Sequence, residues 1–237
     1  MDNTFQGFPA GAPQFLLDLK ENNNKTWFEA NREWYNSDII QPAQKFIVAM
    51  GERLREISPN IVADPRIDRS IFRIHRDTRF THSAEPYKAH LGIWMWEGAG
   101  KKMECSGYYF HIEPPTIFLG SGMYLFEPEL LKLYRVMVVD PVHGEQLQTA
   151  VSEVTAKGDY EFGFQKFKKL PRGADPKHPN ARFLLHNGLY AGYETVIPPE
   201  LFTADLVDLC FEHYRNTSPI HKWVLQLTED YKKRKVQ

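Results

Sequence analysis

Residues 65–90 read PRIDRSIFRIHRDTRFTHSAEPYKAH, and within them the periodicity of the chain changes. Upstream, apolar residues recur at helical spacing. Here Phe72 and Ile74 alternate with Arg73 and His75, the period of two that gives a strand one apolar and one basic face. A helix competes for the same residues, because Arg69, Arg73 and Arg76 are spaced i, i+4, i+7. Ile71, Phe72 and Ile74 favour the strand. The stretch also holds Arg66, Arg69, Arg73, Arg76 and Arg79, five of the thirteen arginines, with Lys88 and three histidines. Against these six fixed cations stand Asp68, Asp77 and Glu85, so the stretch is +3 in a chain whose formal net charge is −1. A positive island in a mildly acidic protein is the electrostatic form of an anion site.

Working towards the N-terminus, a helix is predicted from Gln41 to Ile57, with Phe46, Ile47, Met50, Leu54 and Ile57 as its stripe and Ser58-Pro59 as its stop. An aromatic helix covers Trp27–Tyr35, and Thr26 with Glu29 offers it a capping box. Asn22, Asn23 and Asn24 end an earlier helix that starts near Pro13 and carries Phe15, Leu16 and Leu19; they can also cap the next one. Residues 1–12 show little pattern and read as a loosely ordered arm.

Towards the C-terminus the alternation recurs in 89–96, 106–112 and 116–121, with turns at Glu97–Gly100 and Pro114-Pro115. Short strands joined by short turns read as an antiparallel meander. Helices follow over Glu127–Val139 and Glu145–Lys157, separated by Asp140-Pro141. A strand near Tyr160–Phe164, a short helix near Ala181–His186 and a strand near Tyr190–Ile197 precede a helical tail, Ala204–Lys233, interrupted at Ser218-Pro219. There is no internal repeat and no linker. The expectation is a single α+β domain over 13–237, an antiparallel meander sheet with helices mainly on one face and helices at both ends of the chain.

Composition narrows the function classes. At 237 residues with 14% aromatic content the chain buries a substantial core. A net charge near zero argues against a broad nucleic-acid surface. No basic residue precedes Lys20 and no apolar run is long enough to span a bilayer, so neither a secretory signal nor a membrane partner is expected. Cys105 and Cys210 read as two reduced thiols of a cytoplasmic protein.

The candidate ligand-binding residues are Arg73, Arg76, Arg79, Lys88 and His90. Hairpin pairing would return Lys88 and His90 beside the arginines, whose guanidinium forks match phosphate or carboxylate oxygens. Asp77 would hold one guanidinium; in an enzyme, Asp77 or His90 would be the proton carrier. His75, His82, His90 and His111, with Asp77 or Glu113, invite a metal, but their spacing matches no ligand pattern and arginines repel a dication. No metal and no cofactor is therefore assigned. Ser121 lies in Gly-Ser-Gly, without the spacing of a nucleophile elbow, and reads as a turn residue. Trp94, Trp96, Tyr108 and Tyr109 suit either base or sugar stacking or a core under helices. The leading expectation is a small anionic ligand, phosphorylated ones included. Two alternatives stay open: an interaction module docking an acidic partner protein or nucleic acid, and an ion-pair network that is purely structural. Oligomeric state leaves no mark on the sequence.

Several blocks together resemble a known family. They are Asn22-Asn23-Asn24-Lys25-Thr26-Trp27-Phe28-Glu29-Ala30-Asn31-Arg32, then Phe72-Arg73-Ile74, Arg76-Asp77-Thr78-Arg79-Phe80, Pro86-Tyr87-Lys88 and His90-Leu91-Gly92. Tyr108–Pro114, Phe118-Leu119-Gly120 and Leu170-Pro171-Arg172-Gly173 complete the set. The chain resembles the DUF2461 family of uncharacterised proteins from about Phe15 to Leu225. The resemblance implies a soluble protein without an assigned activity, and makes residues 73–90 the family's main polar motif. This chain departs from the pattern at Thr81–Ala84, where lysines are usual, and at His75, where a tyrosine is usual.

Overall fold

The computed structural model describes residues 4–77 and 85–236. In chain order these form helices α1 (Gly11–Glu21), α2 (Lys25–Ala30), α3 (Arg32–Trp34) and α4 (Gln41–Leu54), then strands β1 (Ile61–Val62), β2 (Leu91–Glu97), β3 (Ser106–Glu113) and β4 (Thr116–Met123). Helices α5 (Pro128–Val139) and α6 (Pro141–Thr155), strands β5 (Glu161–Phe162) and β6 (Leu189–Val196), and helix α7 (Leu206–Val236) complete the order. The strands make one antiparallel sheet, β1-β2-β3-β4-β6-β5, with helices from both ends of the chain packed against it. This is the α+β meander that the alternating segments predict. No helix among the described residues is long and apolar enough to cross a membrane.

The segment that decides the fold is extended without being a regular strand. Ile71 bridges Ile93 and His75 bridges Tyr87, both antiparallel. Phe72 N donates to Gly92 O at 3.0 Å, Lys88 N to Ile74 O at 2.8 Å and Arg76 N to Pro86 O at 2.8 Å. The expected hairpin return is present, as separate bridges rather than a continuous ladder.

The chain divides into two compact units, one of Met1–Met95, Tyr109–Leu119 and Glu194–Glu212, the other of Trp96–Tyr108, Gly120–Tyr193 and His213–Gln237. Each is assembled from three separate stretches, so no linker could mark the division in the sequence.

In the first unit, α1 buries Phe15, Leu16 and Leu19, and α4 buries Phe46, Ile47, Met50 and Leu54. A π turn over Tyr35–Ile40 joins α3 to α4. The cap of α2 is Asn24, whose side chain accepts from Trp27 N at 3.0 Å. The expected capping box at Thr26 does not form, since Thr26 is already inside the helix and Glu29 pairs with Arg32 at 2.6 Å. Residues 4–10 also differ from expectation. Phe5 and Phe8 are buried, Phe8 stacks 6.1 Å from Phe110, and Phe8 N donates to Leu201 O at 2.8 Å. Burying two phenylalanines contributes about 1.5–3 kcal/mol each, enough to tie down a segment whose glycine and proline hide any periodicity.

The second unit packs α5 and α6 against α7 through Leu133, Tyr134, Met137, Leu147, Trp223 and Leu227. Trp223 Nε1 donates to His143 O at 2.9 Å. Contrary to expectation, α7 runs through Pro219 without interruption. Proline lacks the N–H that would reach the carbonyl four residues back. Here Ser218 Oγ donates to that carbonyl, Arg215 O, at 2.9 Å, so the acceptor is satisfied and the helix continues. The same unit buries a polar relay of Ser106, His221 and Glu97.

Candidate functional site

The site lies in the first unit, on one face of β3. Phe110 turns towards the helices, 4.8 Å from Phe46, and Ile112 shares its face. Strand alternation therefore places Tyr109, His111 and Glu113 on the other face. Gly92 and Trp94 of β2 lie on that face too, with Trp94 6.4 Å from Tyr109. Gly92 is there because a Cβ would come within 2.8 Å of the Tyr109 hydroxyl.

The arginines of the motif separate into two groups. Arg66 and Arg69 both turn to Asp64, at 2.5 and 3.1 Å, and the Arg66 hydrogen bond holds the Asp64 carboxyl well below the usual carboxylate range. Arg73 and Arg76 remain near Lys88. Arg73 lies 3.8 Å from Asp77, as expected for a carboxylate that holds a guanidinium. Arg76 reaches Glu85 at 3.2 Å and Tyr87 O at 3.2 Å, while its Nε is buried and has no hydrogen-bond partner among the described residues. Arg79 and His82 lie outside the described residues.

Lys88 is half-buried, with Nζ 5.8 Å from the Phe72 ring centroid. Burial first, and then the charges of Arg73 and Arg76, push its ammonium pKa down. His90 is also half-buried. Burial lowers its pKa to about 4, with His111, Lys88 and Arg76 acting in the same direction against Glu113. It is therefore a neutral imidazole at pH 7, poorly suited to the proton-carrier role that the sequence offers it. His75 is exposed, 5.1 Å from the Tyr87 ring.

A second constellation adjoins the first. The His90 and His111 rings are 4.5 Å apart. His90, His111 and Glu113 each offer a ligand atom, all within 4.8 Å of one another. His111 Nε2 lies 3.2 Å from Glu113 Oε2, and His111 Nδ1 lies 2.8 Å from the Tyr109 hydroxyl. Burial lowers the His111 pKa, opposed by Glu113 and Glu194. The sequence supplies His111 and Glu113 two residues apart on one strand face, but not the strand register that sets His90 beside them.

A family model described as a conserved hypothetical protein, DUF2461, matches residues 12–223. The chain belongs to the DUF2461 family. No curated protein and no solved structure matches it.

Two blocks by which this DUF2461 chain resembles its family meet in space. Asn23 Nδ2 donates to Tyr87 O at 3.0 Å, and Asn23 Oδ1 accepts from Tyr87 N at 3.0 Å. The amide thus closes a two-bond ring with the backbone beside Lys88, and Phe28 of α2 stacks on Tyr87 at 4.4 Å. The sequence reads Asn23 as a helix stop or cap, whereas in the fold its amide holds the backbone of Tyr87 beside Lys88. Of the other candidates in this DUF2461 chain, Trp94, Trp96 and Tyr108 are buried core. Ser121 lies within β4, buried and 2.6 Å from Thr217 Oγ1, rather than in a turn. Cys105 and Cys210 are free and buried.

Proposed function

We propose that this DUF2461 protein binds a small anionic ligand, of the phosphate or carboxylate class, at Arg73, Arg76 and Lys88, with His90 as a neutral hydrogen-bond donor. Arg79 belongs to the proposal on sequence grounds. The observation that carries it is the crowding of Lys88, whose protonated form is disfavoured by burial and by two arginines. A bound anion relieves that repulsion and gains charge-assisted hydrogen bonds. The buried Nε of Arg76 supplies a further donor. Asp77 serves in this reading to orient Arg73, and the two buried thiols suit a reducing, cytoplasmic setting.

An extended basic surface for an acidic protein or nucleic acid is the poorer reading, because Arg66 and Arg69 turn away to Asp64. Those two arginines fit the structural ion-pair alternative instead. Phosphate titration followed by melting temperature tests the proposal, since a ligand of the native state stabilises by mass action. Wild-type protein should gain melting temperature with millimolar phosphate, and Lys88→Met should lose the gain while staying folded. An equal gain in Lys88→Met, or none in the wild type, overturns it.

A further inference from the structure

We infer that His90, His111 and Glu113 form a binding site for one divalent transition-metal ion, Zn2+ in the first instance, with a coordination position left open. Two imidazoles and one carboxylate make a donor set that suits Zn2+, and three protein ligands leave the fourth position for water or a small ligand. The geometry agrees with this chemistry. Zinc–nitrogen and zinc–oxygen bonds of about 2.0–2.2 Å in a tetrahedron set neighbouring ligand atoms about 3.3–3.5 Å apart. His111 Nε2 and Glu113 Oε2 are 3.2 Å apart, and all three donors fall within 4.8 Å of one another. Among the described residues the His90 ring makes no hydrogen bond, and it lies 4.5 Å from the His111 ring.

The outer partners match as well. A histidine that binds metal through Nε2 carries its proton on Nδ1 and donates it to a neighbour that fixes the ring. His111 Nδ1 faces the Tyr109 hydroxyl at 2.8 Å, and Gly92 provides the space for that hydroxyl. For Nε2 to bind the ion, the neutral His111 ring takes the tautomer whose single proton sits on Nδ1 and is donated to the Tyr109 hydroxyl.

Charge is the objection that the sequence raises, since arginines repel a dication. Among the described residues, the side-chain cations that act on His90 are Lys88 and Arg76, and Arg76 is paired with Glu85. Glu113 and Glu194 both act on His111 in the opposite sense. Among the described residues, two carboxylates thus act against Lys88, on which Asp68 also acts, and this balance favours a cation. The inference stands without the anion reading, although the two share His90.

The test uses the full chain, stripped with a chelator and titrated with Co2+ in phosphate-free buffer, read by visible d–d absorption and metal stoichiometry. One Co2+ per chain should bind with the intense bands of low coordination number and be displaced by Zn2+. Glu113→Gln, at an exposed position, should keep the wild-type melting temperature and bind Co2+ at least about tenfold more weakly. Tyr109→Phe should cost about 10–100-fold in affinity, the usual effect of losing an outer partner. Absence of saturable Co2+ binding by the wild type overturns the inference. So does unchanged affinity in folded Glu113→Gln.

Discussion

His221 Nε2 lies 3.0 Å from Glu97 Oε2, and both side chains are buried in the second unit. On the other side of the ring, Nδ1 is 2.9 Å from Ser106 Oγ. Burial is the main influence on His221 and lowers its pKa against the pull of Glu97. The neutral ring then carries its proton on Nε2, donates to Glu97 and accepts from Ser106. Serine, histidine and carboxylate have the connectivity of a nucleophilic triad. However, Ser106 and His221 are fully buried, so no substrate carbonyl reaches Oγ. The relay ties β3 and the end of β2 to α7.

Replacing His221 with alanine should therefore destabilise the protein by about 3 kcal/mol. It deletes a hydrogen bond to a carboxylate, worth about 1.5–3 kcal/mol, and leaves a cavity besides. Urea denaturation measures this, and a change below about 1 kcal/mol would show the relay to be incidental.

The same ring fixes a pH dependence. A buried neutral histidine has a folded pKa below the unfolded value of about 6.5, so the unfolded chain binds the extra proton first. Its contribution is complete above that value. It is lost as pH falls towards the depressed folded pKa, with Lys222 adding to the depression and Glu97 opposing it. Unfolding free energy should thus decline below about pH 6.5 more steeply in the wild type than in His221→Asn. His186, also lowered by burial, acts alike in both proteins and cancels in the comparison. Parallel curves would remove His221 from the account.

What was legible in the sequence follows from what periodicity encodes. Alternation in β3 gave its two faces, because side chains of a strand must point to opposite sides. The pairing of Arg66 and Arg69 with Asp64 was not legible, since it needs the tight turn in which Asp68 takes a φ of 66°. The meeting of His90 with His111 depends on register across the turn between β2 and β3, which composition does not specify. Pro219 reads as a stop because its missing N–H is visible in the sequence, whereas the hydroxyl that compensates is a matter of geometry.

That compensation can be measured. With Pro219 present, Ser218→Ala removes the hydroxyl hydrogen bond to the Arg215 carbonyl and should cost about 1 kcal/mol. In a Pro219→Ala background the restored N–H can serve the same carbonyl, and Ser218→Ala should then cost clearly less. A double-mutant cycle by urea denaturation reads the difference directly. Equal costs in both backgrounds would mean that the hydroxyl does not replace the lost backbone bond.

Crossed substitutions can separate the anion and metal sites, which share His90 and otherwise draw on different residues. Lys88 lies beside Arg73 and Arg76, whereas Glu113 lies beside His111. Lys88→Met removes a cation from the anion site and relieves repulsion at the metal site. It should abolish the phosphate-induced rise in melting temperature and leave Co2+ affinity equal or higher. Glu113→Gln removes a metal ligand and a negative charge, so it should weaken Co2+ and leave the phosphate response of the metal-free protein equal or stronger. His90→Ala should diminish both. Melting curves with phosphate and absorption titrations with Co2+, run on all three variants, give a pattern that two independent sites must satisfy. If Lys88→Met and Glu113→Gln each removed both responses, the two ligands would share one site, and the separate anion site would be wrong.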